Sequence, residues 1–311
     1  MHAIEKVRAA VGELDQLPLP GGGATLERWR ALAVLGREDL SVARLAEGHA
    51  DAGAILHELG HDVPAGLLGV WAAQPDLLRA EPDGDGWVLR GEKGWCSGSL
   101  AIDRALVTAT APDGPRLFVV GPGGLEIVPG SWAPMGMEAT RSDTLVFDGV
   151  RVDADDAVGG PGAYVDRPGF GHGGGGVAAV WWGGADGVVD ALRRAGARPG
   201  APDDVLAALG EAAAGLEAAW ATLAAAATEI DAHPGDRPRA DRLALSVRLT
   251  VERAARHALD VTTRALGASA LCHQPAHAAR VADLTVYLSQ LHPFRSAVAL
   301  GRAVIEGPGR P

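Results

Sequence analysis

Within the stretch Gly91–Ser99, which reads Gly-Glu-Lys-Gly-Trp-Cys-Ser-Gly-Ser, Trp95 and Ser97 stand two positions apart. On an extended strand that spacing puts both side chains on one face. An indole there can wall a planar heterocycle, and a hydroxyl can donate a hydrogen bond to its rim. The competing reading is a buried tryptophan and a hydroxyl in an ordinary strand. Two other motifs suggest different chemistry. His57-Glu58-Leu59-Gly60-His61 matches the HExxH pattern of two metal-binding imidazoles with a glutamate base. Gly60 should end the helix before His61 returns to the face of His57, and Glu81 is the one further ligand in view, so we expect histidines at a helix end and no metal. Gly171 to Gly176 satisfies GxGxxG by count, but a dinucleotide fingerprint needs a buried strand ahead of it. Asp166-Arg167-Pro168-Gly169 precedes it instead. The expectation is a flexible connection, with amides at the following helix start able to meet an anion.

The elements that would position these residues follow from hydrophobic periodicity. Leu14 to Gly23 is rich in Pro and Gly, and Thr25 can cap a helix over Leu26, Trp29, Leu32 and Ala33. A second helix runs from Asp39 through Leu40, Ala43, Ala50, Ala54 and Leu59, with Gly60 and Pro64 as stop signals. From about Leu67 the pattern changes to short apolar runs at 87–89, 105–107, 117–120, 125–128 and 144–147, separated by Asp-Gly and Pro-Gly turns. Strands at this spacing predict a small β-barrel or sandwich. Helical stripes return at Val177–Leu192, Leu206–Leu223, Leu243–Val261 and Val281–Leu291, predicting a C-terminal four-helix bundle. The expected fold is α+β, with an N-terminal helical segment (1–66), a central β domain (67–165) and a helical bundle (166–311).

Composition narrows the function. The 311 residues are 47% hydrophobic and 22% charged, the balance of a globular enzyme-sized chain. A net charge of -11 argues against nucleic acid, whose partners cluster Lys and Arg. Only Lys6 and Lys93 are lysines, and Cys96 and Cys272 lie too far apart in sequence to suggest a disulfide framework or zinc cluster. With no apolar leader after Met1 and no apolar window long enough to span a bilayer, a cytoplasmic protein is expected.

In their order and spacing these segments resemble the acyl-CoA dehydrogenase family. The resemblance rests on Lys93, Trp95 and Ser97, on Pro134–Met137, Arg141–Asp143 and Phe147–Val152, and on Ala282–Leu284 in the closing helix. It runs from about Leu40 to the C-terminus and is strongest from Gly91 to Val152. It implies an FAD cofactor, with Trp95 along the ring and Ser97 near N5, where reduction builds charge and adds a hydrogen. It also implies cofactor contacts from Trp71, Ala72 and Ala73.

The chain departs from the family at its base. The family's usual glutamate has no counterpart, because Leu288–Phe294 reads Leu-Ser-Gln-Leu-His-Pro-Phe and the alternative position falls among Gly176, Val177 and Ala178. His292 is the titratable side chain of that loop, kept out of regular helix by Pro293, and histidine can act as a general base near neutral pH. It is the candidate catalytic residue, with helix capping or a solvent-facing role as alternatives. The first helices are shorter than the family's N-terminal domain, and its cofactor arginine is only loosely echoed by Arg194 or Arg198. The resemblance implies an FAD-dependent oxidoreductase that dehydrogenates an acyl thioester across its α and β carbons. A flavin monooxygenase on the same fold, needing no thioester base, and a non-catalytic subunit of a mixed assembly are the alternatives. A homodimer or homotetramer is expected, because Trp181, Trp182 and the alanine-rich helices offer more apolar surface than one chain easily covers.

Overall fold

The computed structural model describes residues 2–306. Four helices come first: α1 (His2–Ala9), α2 (Val11–Leu14), α3 (Thr25–Glu38) and α4 (Leu40–Glu58). Eight strands follow: β1 (Leu68–Trp71), β2 (Leu78–Asp83), β3 (Gly86–Cys96), β4 (Arg104–Ala111), β5 (Gly114–Val120), β6 (Glu126–Ile127), β7 (Asp143–Val152) and β8 (Ala157–Val158). The chain then continues as α5 (Ala163–Asp166), α6 (Gly169–Gly196), α7 (Asp203–Ala232), α8 (Arg237–His273), α9 (Pro275–Leu288) and α10 (Pro293–Glu306). It divides into two compact units. One gathers the residues up to Leu17, Arg44–Pro134 and Glu138–Phe170; the other gathers Pro18–Ala43, Met135–Met137 and the residues from Gly171 onward.

In the first unit the strands form one hydrogen-bonded network in the order β6-β7-β3-β2-β4-β5-β8, with β1 paired parallel to β4. The β2–β3 hairpin closes through Gly84 and Asp85, between the paired Asp83 and Gly86. Gly84 has φ 65°, the left-handed conformation that a two-residue hairpin loop needs. Alternating residues bury one face of the sheet. Leu68, Leu106, Leu117, Val119 and Val158 pack against Ala52, Ile55 and Leu56 of α4. That helix starts where its sequence signals it, since the Asp39 carboxylate accepts from the amides of Ser41 (3.0 Å) and Val42 (3.1 Å). It stops at Gly60, whose φ of 68° ends the turn.

The second unit is helical, and it corrects several expectations. Gly173 to Gly176 is not a flexible connection but the first part of α6. Each glycine weakens an isolated helix by about 1 kcal/mol relative to alanine, but here the missing side chains let helices touch. A methyl group on Gly175 would overlap the Trp29 indole, and one on Gly183 would overlap the Ala33 carbonyl. Within α8 the helical backbone is interrupted at Gly267, where φ is 63° and ψ -172°, and a second helical piece continues to His273. Beyond the four expected stripes, Pro293 opens a fifth helix, α10, which packs on α8. Proline at a helix start loses no bond that the helix needs.

Thr25 is the first residue of α3 and not its cap. Its amide and hydroxyl donate to the two oxygens of Asp231 in α7, at 3.0 and 2.6 Å, and Gly23 N donates to the same carboxylate at 3.1 Å. Nor does Trp181 supply exposed apolar surface. It is fully buried, edge-on to Tyr287, with the Arg248 guanidinium 4.6 Å from its ring centre. Trp182 donates to Leu216 O at 2.8 Å and packs on Trp220. The most exposed apolar side chains of this unit are instead on α10, where Phe294 is 81% and Ile305 85% exposed.

Candidate functional site

The end of β3 holds Lys93, Trp95 and Ser97. The β3–β7 ladder is regular from Glu92 and Lys93 back to Gly91 but loses register between Lys93 and Cys96. Trp95 there adopts φ 61°, and Ser97 N turns back to Trp95 O at 3.0 Å. Simple alternation therefore does not govern this segment, because Trp95 is left-handed and Ser97 lies past the strand end. What results is a tryptophan 56% exposed at the end of β3, meeting the Trp132 ring edge-on at 6.0 Å. Trp132 is fixed by donating to Glu138 O at 3.1 Å.

Left-handed residues other than glycine gather here. Gln74 (φ 49°), Trp95, Ser99 (φ 38°) and Arg141 (φ 44°) all lie in this unit. Such conformations cost about 1–3 kcal/mol each and persist where surrounding bonds over-determine them, often at binding sites. The bonds are present. Gly98 N donates to Thr140 O at 2.8 Å, and the Ser99 hydroxyl contacts Arg141 O and the Asp143 carboxylate.

Beneath Trp95, Lys93 is fully buried and donates to Thr108 O (2.6 Å) and Thr108 Oγ1 (2.9 Å). Burial lowers its pKa to about 8. The same Thr108 hydroxyl donates to Ala72 O at 3.1 Å. Trp71 is also fully buried and donates from Nε1 to Ser97 O at 3.0 Å. Its indole thus braces the segment, while Ala72 and the exposed Ala73 and Gln74 carry that segment's accessible surface. Buried Cys96 is a poor nucleophile, since burial pushes its thiol up to about 12. The segment thus presents an exposed indole and a half-buried hydroxyl beside an open backbone segment.

In the helical unit, His292 is exposed immediately before α10, and its carbonyl accepts from Ser296 N at 3.0 Å. Two segments that were singled out in sequence meet there. Gly136 packs directly on the Ala282 backbone, and Met137 N donates to Asp283 Oδ1 at 2.5 Å. The HExxH residues take other partners. The His61 ring nitrogens face Asp62 O at 2.9 Å and Asp155 O at 2.7 Å, two acceptors that favour the doubly protonated ring and raise its pKa. Glu58 binds Arg167 and the Gly169 amide. Sequence reasoning missed Thr140 and Trp132 and gave Ser142, inside the Arg141–Asp143 segment, no role of its own; they reach the site by ladder register and turns that no local spacing reveals.

No protein-family model matches the chain, and no curated protein sequence does. Solved structures do match. Butyryl-CoA dehydrogenase from Megasphaera elsdenii superposes with a TM-score of 0.81 at 17% identity, over 98% of this chain and 89% of that one. TdsC from Paenibacillus sp. A11-2, in complex with FMN and indole, gives 0.76 at 20%, over 97% and 94%. XiaF from Streptomyces sp., in complex with FADH2 and glycerol, gives 0.77 at 19%, over 99% and 90%. The chain has the acyl-CoA dehydrogenase fold. Within the described residues of this acyl-CoA dehydrogenase fold, no helix is long and apolar enough to cross a membrane, and no cluster of three or more His, Cys, Asp or Glu could hold a metal.

Proposed function

We propose that this chain is a flavin-dependent oxidoreductase, binding FAD or FMN against Trp95, Ser97 and the Trp71–Ala73 segment. The observation that carries the reading is the exposed Trp95 on a left-handed backbone beside a bonded Ser97 hydroxyl. Fold relatives crystallised with FMN and with FADH2 support it. A bound flavin supplies a two-electron acceptor at N5. For that chemistry, Trp95 would cover the ring and exclude water, and Ser97 would donate a hydrogen bond to its edge. The proposed substrate is a small acyl thioester, with His292 as the base that removes its α proton.

One observation favours a second reaction on the same fold. The loop 288–294 carries no carboxylate, and the titratable group there, His292, is exposed. An oxygen-using monooxygenase needs no thioester base, and TdsC is a dibenzothiophene monooxygenase. Anaerobic mixing of the flavin-loaded protein with acyl thioesters separates the two. Bleaching of the flavin, lost in His292→Ala, supports dehydrogenation. Turnover only with a flavin reductase and oxygen supports the second reading, and bleaching unchanged in His292→Ala removes that residue from the mechanism.

The protein acts in the cytoplasm as a homodimer or homotetramer. Phe294, Val298 and Ile305 form an exposed apolar stripe on α10, the surface that a second copy would cover.

A further inference from the structure

Ser97 belongs to a line of hydroxyls. Its Oγ lies 3.0 Å from Ser142 Oγ, which lies 2.9 Å from Thr140 Oγ1. Ser142 is 7% and Thr140 1% exposed, so the line runs inward from the half-buried Ser97. It is rigidly held. Gly98 N is bonded to Thr140 O, the Ser99 hydroxyl to Arg141 O, and Cys96 is in register with Asp143. Arg141, between Thr140 and Ser142 in the chain, and Ser99, two residues after Ser97, both have left-handed backbone.

A hydroxyl carries one proton and two acceptor sites. In a line of three, rotation about each C–O bond reverses every hydrogen bond together without moving a heavy atom. With Thr140 donating to Ser142 and Ser142 to Ser97, the Ser97 proton is free to point outward. In the reverse sense Ser97 donates inward and presents a lone pair. N5 of an oxidised flavin accepts a hydrogen bond, whereas N5–H of a reduced one donates. We infer that Ser142 is a positioning residue, which lets Ser97 act as donor to the oxidised ring and acceptor from the reduced ring through the reversible Ser97–Ser142–Thr140 line. This rests on the flavin reading proposed above. No proton is lost or gained by the line; only its direction changes.

The test is the ratio of dissociation constants for oxidised and chemically reduced FMN and FAD, measured anaerobically on purified protein. A hydrogen bond contributes about 0.5–1.5 kcal/mol net, so Ser142→Ala should change that ratio by about two- to tenfold. Ser142→Thr, which keeps the hydroxyl, should restore it. In a Ser97→Ala background Ser142→Ala should have no further effect, the signature of coupled residues. Thr140→Val, close in shape and lacking the hydroxyl, repeats the test should Ser142→Ala fail to fold. A changed melting temperature with an unchanged ratio, or equal effects with and without Ser97, would overturn the inference while leaving flavin binding intact. If the wild-type protein takes up neither flavin, both fall.

Discussion

Lys93 shows how one buried residue links the site to stability. Its ammonium has a carbonyl and a hydroxyl of Thr108 as partners, and burial lowers its pKa from 10.5 to about 8. The sign follows from linkage. Between those two values the unfolded chain binds a proton that the folded chain has released, so stability rises with pH across that window. The gain is at most about 3 kcal/mol. Urea melts from pH 7.5 to 9 should show this rise in wild type and lose it in Lys93→Met; above pH 9 buried Cys96, whose thiol is pushed up to about 12, opposes it in both. A wild-type profile that falls would contradict it. Its position before Trp95 was plain in the sequence, but its burial was not, because a lysine on a strand reads as solvent-facing until its pairing is known.

At the scale of elements, local sequence marked helix starts and stops well where a residue's own chemistry decides them. Asp39 and Gly60 bound α4 as their side chain and backbone freedom require. Thr25 failed as a cap because the group that satisfies the α3 N-terminus, Asp231, comes from another helix 206 positions away. Asp231→Ala should therefore destabilise the protein by about 1–2 kcal/mol, whereas Asp203→Ala, at the solvent-exposed start of α7, should change it little. Thermal melts compare the two. Equal effects would remove the special role of Asp231. The glycine run of α6 was misread for a related reason. Glycine lowers helix propensity everywhere, and only the partner surface, Trp29 and Leu32 of α3, shows why a helix keeps it.

At the scale of the whole molecule, the order of helices, strands and helices was legible because periodicity switches from helical to alternating and back. The candidate site was half legible. Trp95 and Ser97 stood out by type and spacing, yet the left-handed turn that exposes one and the hydroxyl line that holds the other depend on β7 and its preceding loop. Assembly follows from surface instead of motif. If the α10 stripe is covered by a second copy, Ile305→Asp should shift light scattering from dimer or tetramer toward monomer; a monomeric wild type would refute this.

The most direct measurement of the central claim is a titration of purified protein with FMN and FAD, followed by the visible absorbance band and by flavin fluorescence. We predict saturable uptake of about one flavin per chain, weakened about tenfold or more in Trp95→Ala, as expected when a stacked aromatic wall is removed. A colourless protein that takes up neither flavin, or a Trp95→Ala variant that binds as tightly as wild type, would contradict it.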